Sequence, residues 1–127
     1  MSTVRQIMSP KLIKMSPTDS VQKAWDLMVE KGIHSIIVPP KSGYFGWRIF
    51  EYKGLKRVLS LIGDPNNAKI GDYAPMPEYS ADPDWTCETC RDYMVRIGED
   101  HLFVVDNNSA IIGLVSWSDI DKNCRKY

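Results

Sequence analysis

The residues best equipped for chemistry stand together near the end of the chain, in the run Gly113-Leu114-Val115-Ser116-Trp117-Ser118-Asp119. A carboxylate such as Asp119 can accept from two vicinal hydroxyls at once, and charge-assisted hydrogen bonds of this kind are the stronger class. Ser116 and Ser118 offer hydroxyls beside it. The run passes from a strand pattern into a helix, whose first turn directs free N–H groups and a positive dipole end outward, which suits an anion. The same residues fit a second role, in which Ser118 caps the helix while Asp119 and Asp121 complement its dipole. The two roles are compatible. Nowhere does the chain assemble a nucleophile, a base and an orienting group, so no enzyme is expected.

What must position these residues is a repeat. Val4 falls on Ile70, Pro17 on Pro83, Ala24 on Cys90, Met28 on Met94, Gly32 on Gly98, Ile36 on Leu102 and Val38 on Val104, all at an offset of 66. After one inserted residue, Gly46 falls on Gly113. In the first copy a short apolar segment, Ile13 to Met15, leads into Ser16-Pro17-Thr18-Asp19, where Asp19 reads as an N-cap and Gln22 completes a capping box. Val21, Ala24, Trp25, Met28 and Val29 recur at helical spacing up to Gly32. Ile33 to Val38 reads as a strand, Tyr44 to Glu51 as its partner, and Leu55, Val58, Leu59 and Ile62 as the face of a second helix. The second copy repeats the order: Ile70 to Ala74, a helix from Thr86 to Ile97, strands at Leu102 to Val105 and Ile111 to Val115, then a last helix. Each copy is thus β-α-β-β-α, giving an α+β fold with a first motif at 1–62, a linker at 63–69 and a second motif at 70–127. Units this small bury their apolar faces poorly alone, so the copies are expected to pack together.

The 127 residues carry 16 basic and 16 acidic side chains, so no net field draws the chain to nucleic acid or an anionic membrane. The clusters Lys53, Lys56, Arg57 and Lys122, Arg125, Lys126 read as solvated helix faces. No apolar run reaches spanning length and the first residues lack a signal-peptide pattern, so a cytoplasmic protein without a membrane anchor is expected. The cysteines number three, an odd count, and read as reduced thiols. Cys87 and Cys90 form a C-x-x-C at a helix start, the geometry that lowers thiol pKa in oxidoreductases. The repeat gives the other reading, since Cys87 overlays Val21 and Cys90 overlays Ala24 on a buried face, where cysteine packs as a small hydrophobe. No second ligand pair stands at zinc spacing, so no metal is expected.

In the second copy, His101-Leu102-Phe103-Val104-Val105-Asp106 followed by Gly113 to Ile120 resembles the cystathionine-β-synthase (CBS) domain, which normally occurs as tandem pairs. It is especially similar to the adenine-nucleotide-sensing γ subunits of AMP-activated protein kinase. The resemblance implies a regulatory module, two motifs related by a pseudo-two-fold, with clefts between them for an adenosine-containing ligand: AMP, ADP or ATP, or alternatively S-adenosylmethionine. By that resemblance Asp119 takes the ribose hydroxyls, with Leu114, Ser116 and Ser118 beside it. His101 sits where related pairs carry a basic residue near the phosphate, although neutral imidazole is a weaker phosphate partner than guanidinium. A histidine bonded to backbone at a strand start is the other reading of that position. Ser9, Ile13 and Ile33 fall where the family contacts adenine and ribose, and the two isoleucines are equally readable as core. Helix-mediated homodimers and a regulated protein partner are the associations implied.

The first copy departs from this pattern. From Gly43 to Leu59 there is no Asp, Ser or Thr, and the Gly46 register sets Ile49 and Tyr52 against Ser116 and Asp119. One functional and one degenerate cleft are expected. The aromatic, basic stretch Tyr44 to Lys53 is free to face a partner chain or to stack a base. A ligand-free structural module is the remaining alternative.

Overall fold

The computed structural model of the protein describes residues 2–124, so Arg125 and Lys126 of the C-terminal basic cluster lie outside the described residues. In chain order the elements are α1 (Val4–Ile7), α2 (Val21–Lys31), β1 (Ser35–Val38), β2 (Arg48–Glu51), α3 (Tyr52–Leu61), a 3-10 turn (Ile70–Asp72), β3 (Ser80–Ala81), α4 (Cys87–Ile97), β4 (His101–Val105), β5 (Ile111–Ser116) and α5 (Trp117–Asn123). The mixed α+β architecture is the expected one. No helix among the described residues is long and apolar enough to cross a membrane.

Two compact units are present, and they cut across the repeat. One is Ile13–Pro77; the other joins the described residues up to Leu12 to those from Glu78 onward.

In the first of these, α2 buries Val21, Ala24 and Met28, the stripe its spacing predicts. Its N-cap is Ser20, whose hydroxyl accepts from the Lys23 N–H at 3.0 Å, and not Asp19. Asp19 is diverted to the preceding turn, where its carboxylate accepts from the Ser16 N–H at 2.9 Å. Gln22 completes no capping box, because its amide donates to Asp26 at 2.8 Å. The helix ends at Gly32 with φ 62°, a left-handed conformation that a Cβ would strain. β1 and β2 pair antiparallel, Ile36 against Phe50. The partner strand is shorter than its aromatic content suggests: Lys41 and Tyr44 close a bridge and Gly46 turns the chain at φ 76°, so pairing begins only at Arg48. The opening apolar segment contributes a single parallel bridge, Lys14 to Ile37. Met15, Met28, Ile36, Phe50, Leu55, Val58, Ile70 and Ala74 fill the core.

The other unit has a three-stranded sheet in the order β3-β4-β5, β3 parallel to β4 and β4 antiparallel to β5. Pairing in the second copy thus opens at Ser80, the expected segment Ile70–Ala74 being taken by the 3-10 turn. α4 is capped by Thr86, which accepts from the Thr89 N–H at 3.1 Å, and closes on Gly98 at φ 74°. Its buried face, Cys87, Cys90 and Met94, packs with Val4, Leu102, Val104, Val115 and Ile120. Between Val104 and Val105 the β4–β5 register shifts, so that Val104 faces Gly113 but Val105 faces Ile111.

The segment that opens each copy is fastened into the unit that holds the other copy's α-helix and strands. Val4 and Arg5 donate their N–H groups to Trp85 and Pro83, each at 2.9 Å. Ile70 and Gly71 donate theirs to Asp19 and Pro17, again at 2.9 Å. Every partner in one set is the repeat equivalent of its counterpart in the other, and Val4 and Ile70 are both wholly buried.

Candidate functional site

β5 runs into α5 without a loop, because Ser116 serves both as the last strand residue and as the helix N-cap. Its N–H and hydroxyl donate to Asp119 Oδ2 at 2.9 and 3.0 Å, and the Asp119 N–H donates back to the Ser116 hydroxyl at 3.4 Å. This reciprocal box satisfies orphan donors at the helix start and fixes the carboxylate. Ser116 is therefore the cap, and Ser118, expected in that role, is an exposed residue of the first turn. One oxygen of Asp119 is committed to the box; Oδ1 has no protein partner among the described residues, and the side chain is only half-buried.

On one side of β5 lies Ser9. Its N–H donates to the Leu114 carbonyl at 2.8 Å and its carbonyl accepts from the Leu114 N–H at 2.9 Å, so an exposed Ser9 extends the sheet by one residue pair. Gly113 eases the approach, since a Cβ there would displace the Met8 side chain and stand 3.1 Å from the Ser9 carbonyl. On the other side β4 sets His101 directly opposite Ser116. The imidazole is held at both faces of its chemistry: Nδ1 lies 2.8 Å from Asp100 Oδ1 and the ring meets Phe103 edge-on at 6.2 Å. Asp100 also accepts the Trp117 N–H at its carbonyl, 2.7 Å, which ties the start of β4 to the start of α5. Sequence reasoning missed Asp100, although an acid adjacent to a candidate histidine is a readable signal.

Ser9, His101, Leu114, Ser116 and Asp119 thus gather within one compact unit, around the β5–α5 junction. Ile13 and Ile33 belong to the other unit, where the Ile13 carbonyl accepts from the Ile37 N–H at 2.8 Å and Ile33 packs against the core.

A family model for the CBS domain matches residues 4–46 and 70–125. The chain belongs to the CBS-domain family. Solved structures agree on the fold of this CBS pair. A conserved CBS-domain protein from Thermoplasma acidophilum is similar with a TM-score of 0.74 at 18% identity, over 98% of this chain and 70% of that one. Hypoxic Response Protein I, solved with two coordinated zinc ions, gives 0.75 at 20% identity, over 96% and 98%. The CBS domain pair of protein MJ0100, solved in complex with 5'-methylthioadenosine and S-adenosyl-L-methionine, gives 0.68 at 18% identity, over 96% and 94%. No curated protein sequence matches the chain.

The first CBS motif carries a different set of groups at the corresponding junction from those its sequence register suggests. Ile36 pairs with Phe50 as Leu102 pairs with Val115, and β2 ends at Glu51 as β5 ends at Ser116. The residue matching Ser116 is then Glu51 and the one matching Asp119 is Gly54, not Ile49 and Tyr52. The glycines mislead the alignment: Val38 pairs with Arg48 as Val104 pairs with Gly113, so the residue equivalent to Gly113 is Arg48, two positions after Gly46. A glycine offers no carboxylate, while Glu51 introduces one where the second motif has a hydroxyl. In the aromatic stretch, Phe45 is 82% exposed and Trp47 carries the Lys14 ammonium 5.5 Å from its ring centre.

The cysteines of the CBS pair also differ from expectation. Cys87 is bonded to Cys124 as a disulfide and not left as a thiol, a pairing across 37 positions that only the packing of α5 on α4 brings about. The C-x-x-C is therefore no redox dyad. Cys90 alone is free; it is fully buried, and burial pushes its thiol up to about 11, so it stays protonated and packs as the small hydrophobe its repeat position implies.

Proposed function

We propose that this CBS pair is a regulatory module that binds an adenosine-type ligand, AMP, ADP or ATP, at the β5–α5 junction of the second motif. A CBS pair is a regulatory ligand-binding module. The observation that carries the finer reading is the divided carboxylate of Asp119: one oxygen is locked by Ser116 while the other, on a half-buried side chain, is without a partner among the described residues, at a helix start. Such a group accepts a ribose hydroxyl without reorganising. Adenosine derivatives occupy the similar pair solved with 5'-methylthioadenosine and S-adenosyl-L-methionine, which supports the ligand class. His101 and Ser118 supply donors for a phosphate, and Ile13 and Ile33 enter this reading by family resemblance alone. Calorimetric titration with AMP, ATP and S-adenosylmethionine tests it: saturable heat with at least one of them is expected, and no heat with any of the three would refute it.

A homodimer is the second reading. Val29 on α2 and Val95 on α4 are repeat equivalents, and they are 64% and 65% exposed, large apolar side chains at matched positions of both motifs. Burying such side chains against a second copy offsets their contact with water. Sedimentation of wild type is expected to show a dimer that Val95→Asp converts to monomer. A monomeric wild type at micromolar concentration would dismiss this.

A further inference from the structure

α5 is only 7 residues long, too short to persist on its own intrinsic helicity. Three fastenings hold it. The Ser116–Asp119 box closes its first turn, Ile120 is buried to 1% in the core, and at its end Cys124, the C-cap, is bonded to Cys87 at the first position of α4. The first and last of these are chemically linked through a single short helix, so whatever loosens Cys124 acts on the element that presents Asp119.

The disulfide is placed to respond to its surroundings. Cys87 is wholly buried while Cys124 is only partly buried, which makes Cys124 the more accessible end of the bond. Internal rearrangement is blocked, because the buried Cys90 thiol stays protonated and is a poor nucleophile. Glu88 sets a carboxylate oxygen within 4.8 Å of both sulfurs, and a neighbouring negative charge disfavours a pair of thiolates.

We propose that Cys87–Cys124 is a reversible redox fastening of α5, and through α5 a regulator of the ligand site; its second half rests on the reading of Asp119 given above. A dithiol reductant drives the release. One of its thiolates attacks Cys124 Sγ, the sulfur–sulfur bond breaks, and Cys87 leaves with the electron pair and takes up a proton. The second thiol of the reductant then displaces Cys124 from the mixed disulfide, so the protein gains two electrons and two protons while the reductant becomes a disulfide. α5 is left held at its start and middle only.

Alkylation and mass spectrometry of air-oxidised protein should find the Cys87–Cys124 linkage, with Cys90 modified only after unfolding. Hydrogen exchange over residues 117–124 should then run at least about 10-fold faster after dithiothreitol, and AMP affinity should fall about 3- to 10-fold. Cys124→Ser should match the reduced protein and ignore dithiothreitol. Absence of the linkage, or identical exchange in α5 in both redox states, overturns the fastening. Faster exchange with unchanged AMP affinity overturns its coupling to the site. Should none of AMP, ATP and S-adenosylmethionine bind in either state, the functional reading fails on its own, and the α5 exchange still decides the fastening.

Discussion

Asp119→Ala is expected to lower AMP affinity about 100-fold. The carboxylate accepts charge-assisted hydrogen bonds, each contributing about 1.5–3 kcal/mol, and about 3 kcal/mol corresponds to roughly two decades in Kd. The alanine variant also breaks the box with Ser116, at a cost of about 1 kcal/mol in stability, so affinity loss alone would not separate binding from folding. Asp119→Asn separates them. Its amide oxygen can still accept from the Ser116 N–H, while the amide nitrogen takes the place of the presented oxygen and turns an acceptor toward the ligand into a donor. Calorimetry should therefore show Asp119→Asn weakened nearly as much as Asp119→Ala, with melting within a few degrees of wild type. An asparagine variant that binds AMP as wild type does would remove Asp119 from the site.

Phe50→Ala should be the most damaging single truncation in the Ile13–Pro77 unit. Phe50 lies on β2 at 2% exposure, opposite Ile36, within the cluster that includes Met15, Met28 and Leu55. Removing a buried phenyl ring costs about 3–5 kcal/mol, because neighbours collapse only partly into the space. Against a total stability of about 5–15 kcal/mol, that is a drop in melting temperature of roughly 15 °C or more. Scanning calorimetry checks it, and a shift under about 5 °C would mean that the core relaxes around the loss. By contrast Phe45→Ala, at an 82% exposed position, should leave melting unchanged.

Much of this architecture is legible in the sequence because its helices are amphipathic and punctuated. The apolar spacing of Val21, Ala24 and Met28 and the glycines at 32 and 98 define α2 and α4 to within a residue, since only glycine closes a helix left-handed without strain. What escaped are choices between chemically equivalent neighbours. Asp19 and Ser20 both cap helices well, and the turn at Ser16 claims the first, which only three-dimensional structure decides. Aromatic residues favour strands, yet Tyr44 to Trp47 form a loop because Gly46 turns the chain there. The first motif's junction falls at Glu51 and Gly54 and not at Ile49 and Tyr52, because strand pairing makes Arg48, and not Gly46, the equivalent of Gly113. The partner of Cys87 lies 37 positions away, and pairing over such distances follows from packing and not from spacing. In the site itself, Asp119 is recognisable as a polar residue at a helix start. That one of its oxygens is spent on Ser116 is not.

The crossed fastening of the opening segments bears on how such a chain can be divided or inherited. A cut at Gly63, where the repeat suggests a boundary, would strip Ile70 and Ala74 from the core they complete and leave Val4 with no core to enter. A solitary copy carries the key to a lock found only in its twin. A single copy on its own would thus have to trade opening segments with an identical chain, whereas the tandem holds both partners in one polypeptide.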